Sequence, residues 1–183
     1  MNRPAWFIGG FVAAGVFAAL GGLVIVYAGL FDARASTPHD PLTAWAIHTT
    51  MIHYMRRASA LLPAAPVFTP AQTLAGFRAY EADCEVCHGG AGVAHAHWVD
   101  GMNPSPPYLL DQTRRWTPNQ LFWIVKNGVK MTGMPAWGLT QSDADVWNLV
   151  AFLEAMPDMA PADYQKMKAE LPKPQPTEAA AAR

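Results

Sequence analysis

Twenty-eight consecutive positions, Pro4 to Phe31 (PAWFIGGFVAAGVFAALGGLVIVYAGLF), carry no charged side chain. The run is apolar on every side instead of along one stripe. That pattern suits a helix in hydrocarbon, and about 20 such residues cross a bilayer core. Between Pro41 and Pro63 the pattern turns amphipathic: Trp45, His48, Met51, Ile52 and Met55 recur at spacings of three and four, predicting one helix. Three later helix starts share a grammar. "TPAQ" at Thr69 and "TPNQ" at Thr117 each offer a hydroxyl N-cap, a proline at the first helical position and glutamine at the third. "SDAD" at Ser142 offers a similar cap with acids at the positive helix end. The helices so begun run into the cysteines, to a C-cap at Gly128, and to Met156 before Pro157. No stretch alternates as a strand does, so the chain is expected to be all-α.

Four segments follow from this pattern. Residues 1–31 are a transmembrane anchor, and 32–68 a connector with the amphipathic helix. Residues 69–160 are a compact helical domain with long loops at 88–116 and 128–141. Residues 161–183, which include LPKPQPTEAAAAR, are a mobile tail rich in Pro, Ala and charge. A removable signal peptide is the rival to the anchor, since Ala33–Ala35 (ARA) resembles a cleavage site. Signal h-regions of about 7–15 residues are far shorter than this run, which favours the anchor. For the connector helix three settings stay open: the membrane surface, a partner protein, or the next domain.

Composition enters through the cysteines. There are two among 183 residues, both within ADCEVCHGG at 82–90. A C-x-x-C pair serves a redox dithiol, half a zinc site, or covalent haem attachment. A closed zinc site needs two more ligands, and the nearest offer, His95 and His97, has poor spacing. A thioredoxin-like dithiol belongs near a strand–helix–strand pattern, which is missing, and leaves His88 unexplained. Haem attachment explains Cys84, Cys87 and His88 together: two thiols a turn apart meet two vinyl groups, and the adjacent imidazole is directed at the iron. A second axial ligand is expected in MTGMPAWG, residues 131–138, because a soft thioether opposite histidine is the electron-transfer arrangement. Met134, framed by Gly133 and Pro135 in an irregular loop, is the candidate; Met131 lacks that framing. His95 and His97 read as solvated loop residues.

On CEVCH and GMPAWG, with Gly76 and Tyr80 placed eight and four residues before Cys84, the segment from Thr69 to about Met159 resembles a class I cytochrome c. The resemblance covers half the chain and implies a helical domain around one covalent haem c. It implies that Gly76 and Tyr80 cross the C-terminal helix at Leu149 and Phe152. It also implies a proline whose carbonyl accepts the imidazole N–H, a bond that fixes the ring. In NPSPPYLL the P-x-L pattern selects Pro107, with Pro106 close behind. Trp123 and Trp137 are expected either around the haem or in ordinary core.

What the resemblance implies for function is a non-enzymatic electron carrier, or the cytochrome subunit of a respiratory or dehydrogenase complex. Attachment of haem c outside the bacterial inner membrane implies a single-pass protein with its haem domain in the periplasm. Expected partners are membrane redox complexes: a quinol-oxidising complex or dehydrogenase as donor, a terminal oxidase or reductase as acceptor. The alternative is a haem-based sensor or peroxidase whose methionine is displaceable. Residues 69–160 hold five basic and nine acidic side chains, a net of −4. An acidic surface disfavours nucleic acid and favours a less negative or basic docking patch.

Overall fold

The computed structural model describes residues 3–172. Eight α-helices follow one another among them: α1 (Arg3–Tyr27), α2 (Pro41–Ser59), α3 (Pro70–Asp83), α4 (Glu85–His88), α5 (Leu109–Gln112), α6 (Pro118–Asn127), α7 (Asp143–Ala155) and α8 (Pro161–Ala169). Short 3-10 turns at His97–Gly101, Thr113–Arg115, Trp137–Leu139 and Met156–Asp158 fill the connections. No strand occurs among the described residues; Gly90 and Val93 form an isolated bridge. The expected all-α class is the one adopted.

Two compact units divide between Thr37 and Pro38. The first holds α1, whose segment Trp6–Tyr27 spans 22 residues at a mean hydropathy of 2.2, long and apolar enough to cross a membrane. The second holds the other seven helices.

The start signals read from the sequence work as capping boxes. Thr69 Oγ1 accepts from the Gln72 amide at 3.3 Å while Gln72 Oε1 accepts from the Thr69 amide at 3.1 Å. Thr117 with Gln120 and Ser142 with Asp145 do the same for α6 and α7. Each box satisfies two of the amides a helix start leaves without partners.

The largest helix–helix contact joins α3 and α7. It depends on Gly76: a Cβ there would lie 1.9 Å from the Asn148 carbonyl oxygen and 2.9 Å from Phe152 Cβ. With the backbones this close, Phe77 and Tyr80 set their rings against Phe152 at 5.3 and 5.1 Å. All three are fully buried, and burying a large apolar side chain stabilises by about 1.5–3 kcal/mol. α6 also packs on α7, with Phe122 stacked on Trp147 at 4.2 Å.

Two boundaries differ from the sequence expectation. The connector helix α2 is part of the second unit: Met55 and Ser59 are buried, Tyr54 meets Trp123 edge-on at 5.7 Å, and Asn119 donates to the Pro63 carbonyl at 2.9 Å. Of the three settings left open for α2, packing on the next domain holds for this face, while Leu42 and Trp45 stay exposed. The expected tail does not start at residue 161. Pro161 opens α8, and its Tyr164 is wholly buried, 5.3 Å from Phe77. The helix is nine residues long, with Tyr164 buried and Met167, like Leu171 just after it, partly buried against the core, too few apolar positions among charged ones for periodicity to mark it. The rest of the expected tail, 173–183, lies outside the described residues.

Gly76→Ala is expected to destabilise the protein by on the order of 3 kcal/mol, since the clash is with backbone that cannot move aside. Thr117→Ala, which removes only a cap, is expected to cost about 1 kcal/mol. Denaturant unfolding of the full chain in detergent measures both, and equal losses would contradict the ranking.

Candidate haem site

The α3–α7 crossing fixes where the cysteines emerge. Cys84 caps the C-terminus of α3, its amide bonded to the Tyr80 carbonyl at 2.8 Å, and the chain turns directly into α4. The Cys87 and His88 amides both reach back to the Cys84 carbonyl, at 3.1 and 3.0 Å. Both thiols and the imidazole therefore sit on one turn, and all three residues are half-buried. Burial, and next the Asp83 carboxylate, push the Cys84 thiol up to about 12. A redox dithiol or a zinc thiolate uses the opposite shift. Among the described residues no three His, Cys, Asp or Glu side chains are grouped as a metal site would need.

His88 Nδ1 lies 2.8 Å from the Pro107 carbonyl oxygen. A carbonyl only accepts, so Nδ1 carries the proton and donates it, and Nε2 presents its lone pair. Burial lowers the His88 pKa, opposed by the bond to Pro107, and the net direction favours the neutral, ligating form. Two hydroxyls hold the chain just past this histidine. Tyr80 donates to the Gly89 carbonyl at 2.5 Å, and Tyr108 donates to the Gly90 carbonyl. Tyr80 and Tyr108 thus tie the residues after His88 to α3 and to the segment around Pro107.

Met134 occupies a loop pinned at both ends. Its carbonyl accepts from the Val129 amide at 3.3 Å, and its amide donates to Thr132 Oγ1 at 3.1 Å. Thr132 Oγ1 in turn donates to the Val129 carbonyl at 2.7 Å. Gly128 makes the arrangement possible: its φ is +65°, and a Cβ would lie 2.7 Å from the Met134 carbonyl oxygen. Met134 is half-buried against the core, whereas Met131 is 73% exposed with φ +63°. Cys84, Cys87, a neutral His88 with a free Nε2, and a half-buried thioether form a donor set that fits haem c.

Trp123 packs on Tyr54 of α2, and Trp137 packs on the core from its 3-10 turn. His95 pairs with Asp100 at 2.9 Å, and His97 is exposed. One residue not weighed from the sequence is Met102, whose Cε lies where a Gly133 Cβ would point, 2.2 Å from that position. The hydroxyl roles of Tyr80 and Tyr108 also went unread. An aromatic at helical spacing signals packing, and nothing in the sequence names the carbonyl its hydroxyl reaches.

Residues 71–153 match the family model for cytochrome c oxidase, cbb3-type, subunit III. The match is somewhat under half the chain, and it contains both cysteines, His88, Pro107 and Met134. No curated protein matches the chain. A single C-x-x-C-H turn, an all-α domain closed by the α3–α7 crossing, and this match together support a c-type cytochrome domain over residues 71–153.

Proposed function

We propose that the protein is a membrane-tethered electron-transfer protein with its haem domain in the periplasm. It works as a carrier or as the cytochrome subunit of a respiratory or dehydrogenase complex. Cys84 and Cys87 would hold one haem c through their sulfurs, and His88 Nε2 and Met134 Sδ would ligate its iron. When bound, that group supplies a one-electron change between Fe(III) and Fe(II), with no proton or atom transferred. The observation that carries the reading is the His88 Nδ1–H donated to the Pro107 carbonyl one residue past C-x-x-C. Such a bond sets the ring's orientation and basicity at once.

The remaining residues act by holding that arrangement still. Tyr80 and Tyr108 grip the carbonyls after His88, and Thr132 with Gly128 shapes the Met134 loop. With His88 and Met134 both given to the iron, no position would be left open for oxygen or peroxide. The apolar helix at Trp6–Tyr27 supports tethering, which keeps the domain near membrane redox complexes at raised effective concentration. A quinol-oxidising complex or dehydrogenase is the donor, and a terminal oxidase or reductase the acceptor. The matched family, an oxidase subunit, supports the second of these.

Met134→Ala is expected to abolish the sulfur-to-iron charge-transfer band while haem stays covalently attached. Met131→Ala and Met102→Leu are expected to keep it. Loss of the band in either of those two, with Met134→Ala unaffected, would assign the ligand elsewhere. A reduced spectrum unchanged by carbon monoxide is expected of the wild type, and a large shift would favour a ligand sensor.

A further inference from the structure

Helix α8 lies beyond the matched segment, yet three of its residues, Pro161, Tyr164 and Lys168, meet the C-x-x-C-H turn or the chain on either side of it. The Tyr164 ring occupies the space beside Gly90 that a side chain would fill, 2.4 Å from an ideal Cβ, and Pro161 does the same beside Gly92. Tyr164 donates its hydroxyl to Glu81 Oε1 on α3. Lys168 Nζ lies 2.8 Å from Glu81 Oε2 and 3.1 Å from Glu85 Oε1, and Glu85 is the residue between Cys84 and Val86 within the C-x-x-C-H turn. The carboxylates are largely withdrawn from water: their side chains are 7% and 19% exposed, against 36% for Lys168.

Two acids facing one base leave a net negative charge beside the cysteines. Water screens such a charge poorly at this depth. Burial acts to lower the Lys168 pKa, but its bonds to the two carboxylates outweigh it and the net shift is upward, so the ammonium stays charged. Burial, and next the Glu81 carboxylate, raise the Tyr164 phenol, which therefore remains a donor.

We propose that α8 is a clamp on the haem-attachment turn, and that Lys168 is a positioning residue which raises the reduction potential by cancelling the charge of Glu81 and Glu85. This rests on the haem reading above. Uncompensated negative charge near the iron favours the ferric state and lowers the potential; removing a carboxylate does the reverse. A helix whose only role was packing would not make the sign of the shift follow the sign of the charge removed.

The test is redox titration of the full-length, haem-loaded protein in detergent, with the optical spectrum followed throughout. Lys168→Gln is expected to shift the midpoint potential down, and Glu81→Gln to shift it up. Lys168→Arg should restore the wild-type value, and all three should keep the sulfur-to-iron band. Shifts in the same direction for Lys168→Gln and Glu81→Gln, or no shift in either, would overturn the proposal. If Lys168→Gln fails to fold, Glu81→Gln and Glu85→Gln decide alone: upward shifts support the clamp, and unchanged or lowered potentials refute it. A wild type with covalent haem and its band, but variants of unchanged potential, removes this inference only. A wild type lacking the band removes the axial assignment beneath it.

Discussion

Gly76 allows two helix backbones to touch, and the placement of the chemistry follows from that contact. A side chain at this position would collide with the carbonyl of Asn148, so α3 could not lie against α7 as it does. Their crossing buries Phe77, Tyr80 and Phe152 in one cluster and fixes the direction in which α3 ends. Because Cys84 is the C-cap of α3, that direction also sets where the C-x-x-C-H turn starts. Packing and chemistry are thus joined through a single residue without a side chain. Close-packed interiors transmit such constraints because they hold few voids to absorb a displacement.

The site itself is built from backbone bonds more than from side-chain pairs. His88 is oriented by a carbonyl, the next two carbonyls are held by tyrosine hydroxyls, and the Met134 loop closes on its own amides and on Thr132. Few of these bonds involve a charged partner, so the arrangement is largely indifferent to salt and to pH near neutrality. That suits a centre whose task is to change charge by one unit with little movement. The ionic contacts lie at its margin, where α8 meets Glu81 and Glu85.

Much of this was legible in the sequence, for identifiable reasons. Capping boxes are local, four residues long, and read correctly at Thr69, Thr117 and Ser142. The C-x-x-C-H turn is equally local, and Gly128 showed itself as a helix stop. Choosing Pro107 over Pro106 took a family pattern, since two adjacent prolines look alike until a carbonyl is seen to point at His88. What stayed hidden depends on contacts across long stretches of chain. Tyr164 meets Glu81 across 83 residues, Tyr54 meets Trp123, and Met102 reaches Gly133. None leaves a periodic mark: each is one side chain in a polar or mixed segment, and composition assigned α8 to a mobile tail.

The proposed electron-transfer role depends on covalent capture of a porphyrin by Cys84 and Cys87. The most direct measurement of that capture uses protein matured in a periplasm with working attachment machinery, then denatured and extracted with acidified organic solvent. The pigment is expected to stay with the polypeptide, and replacing both cysteines with serine is expected to release it. Pigment that leaves the wild-type chain on extraction, or that never accompanies it, would contradict the account.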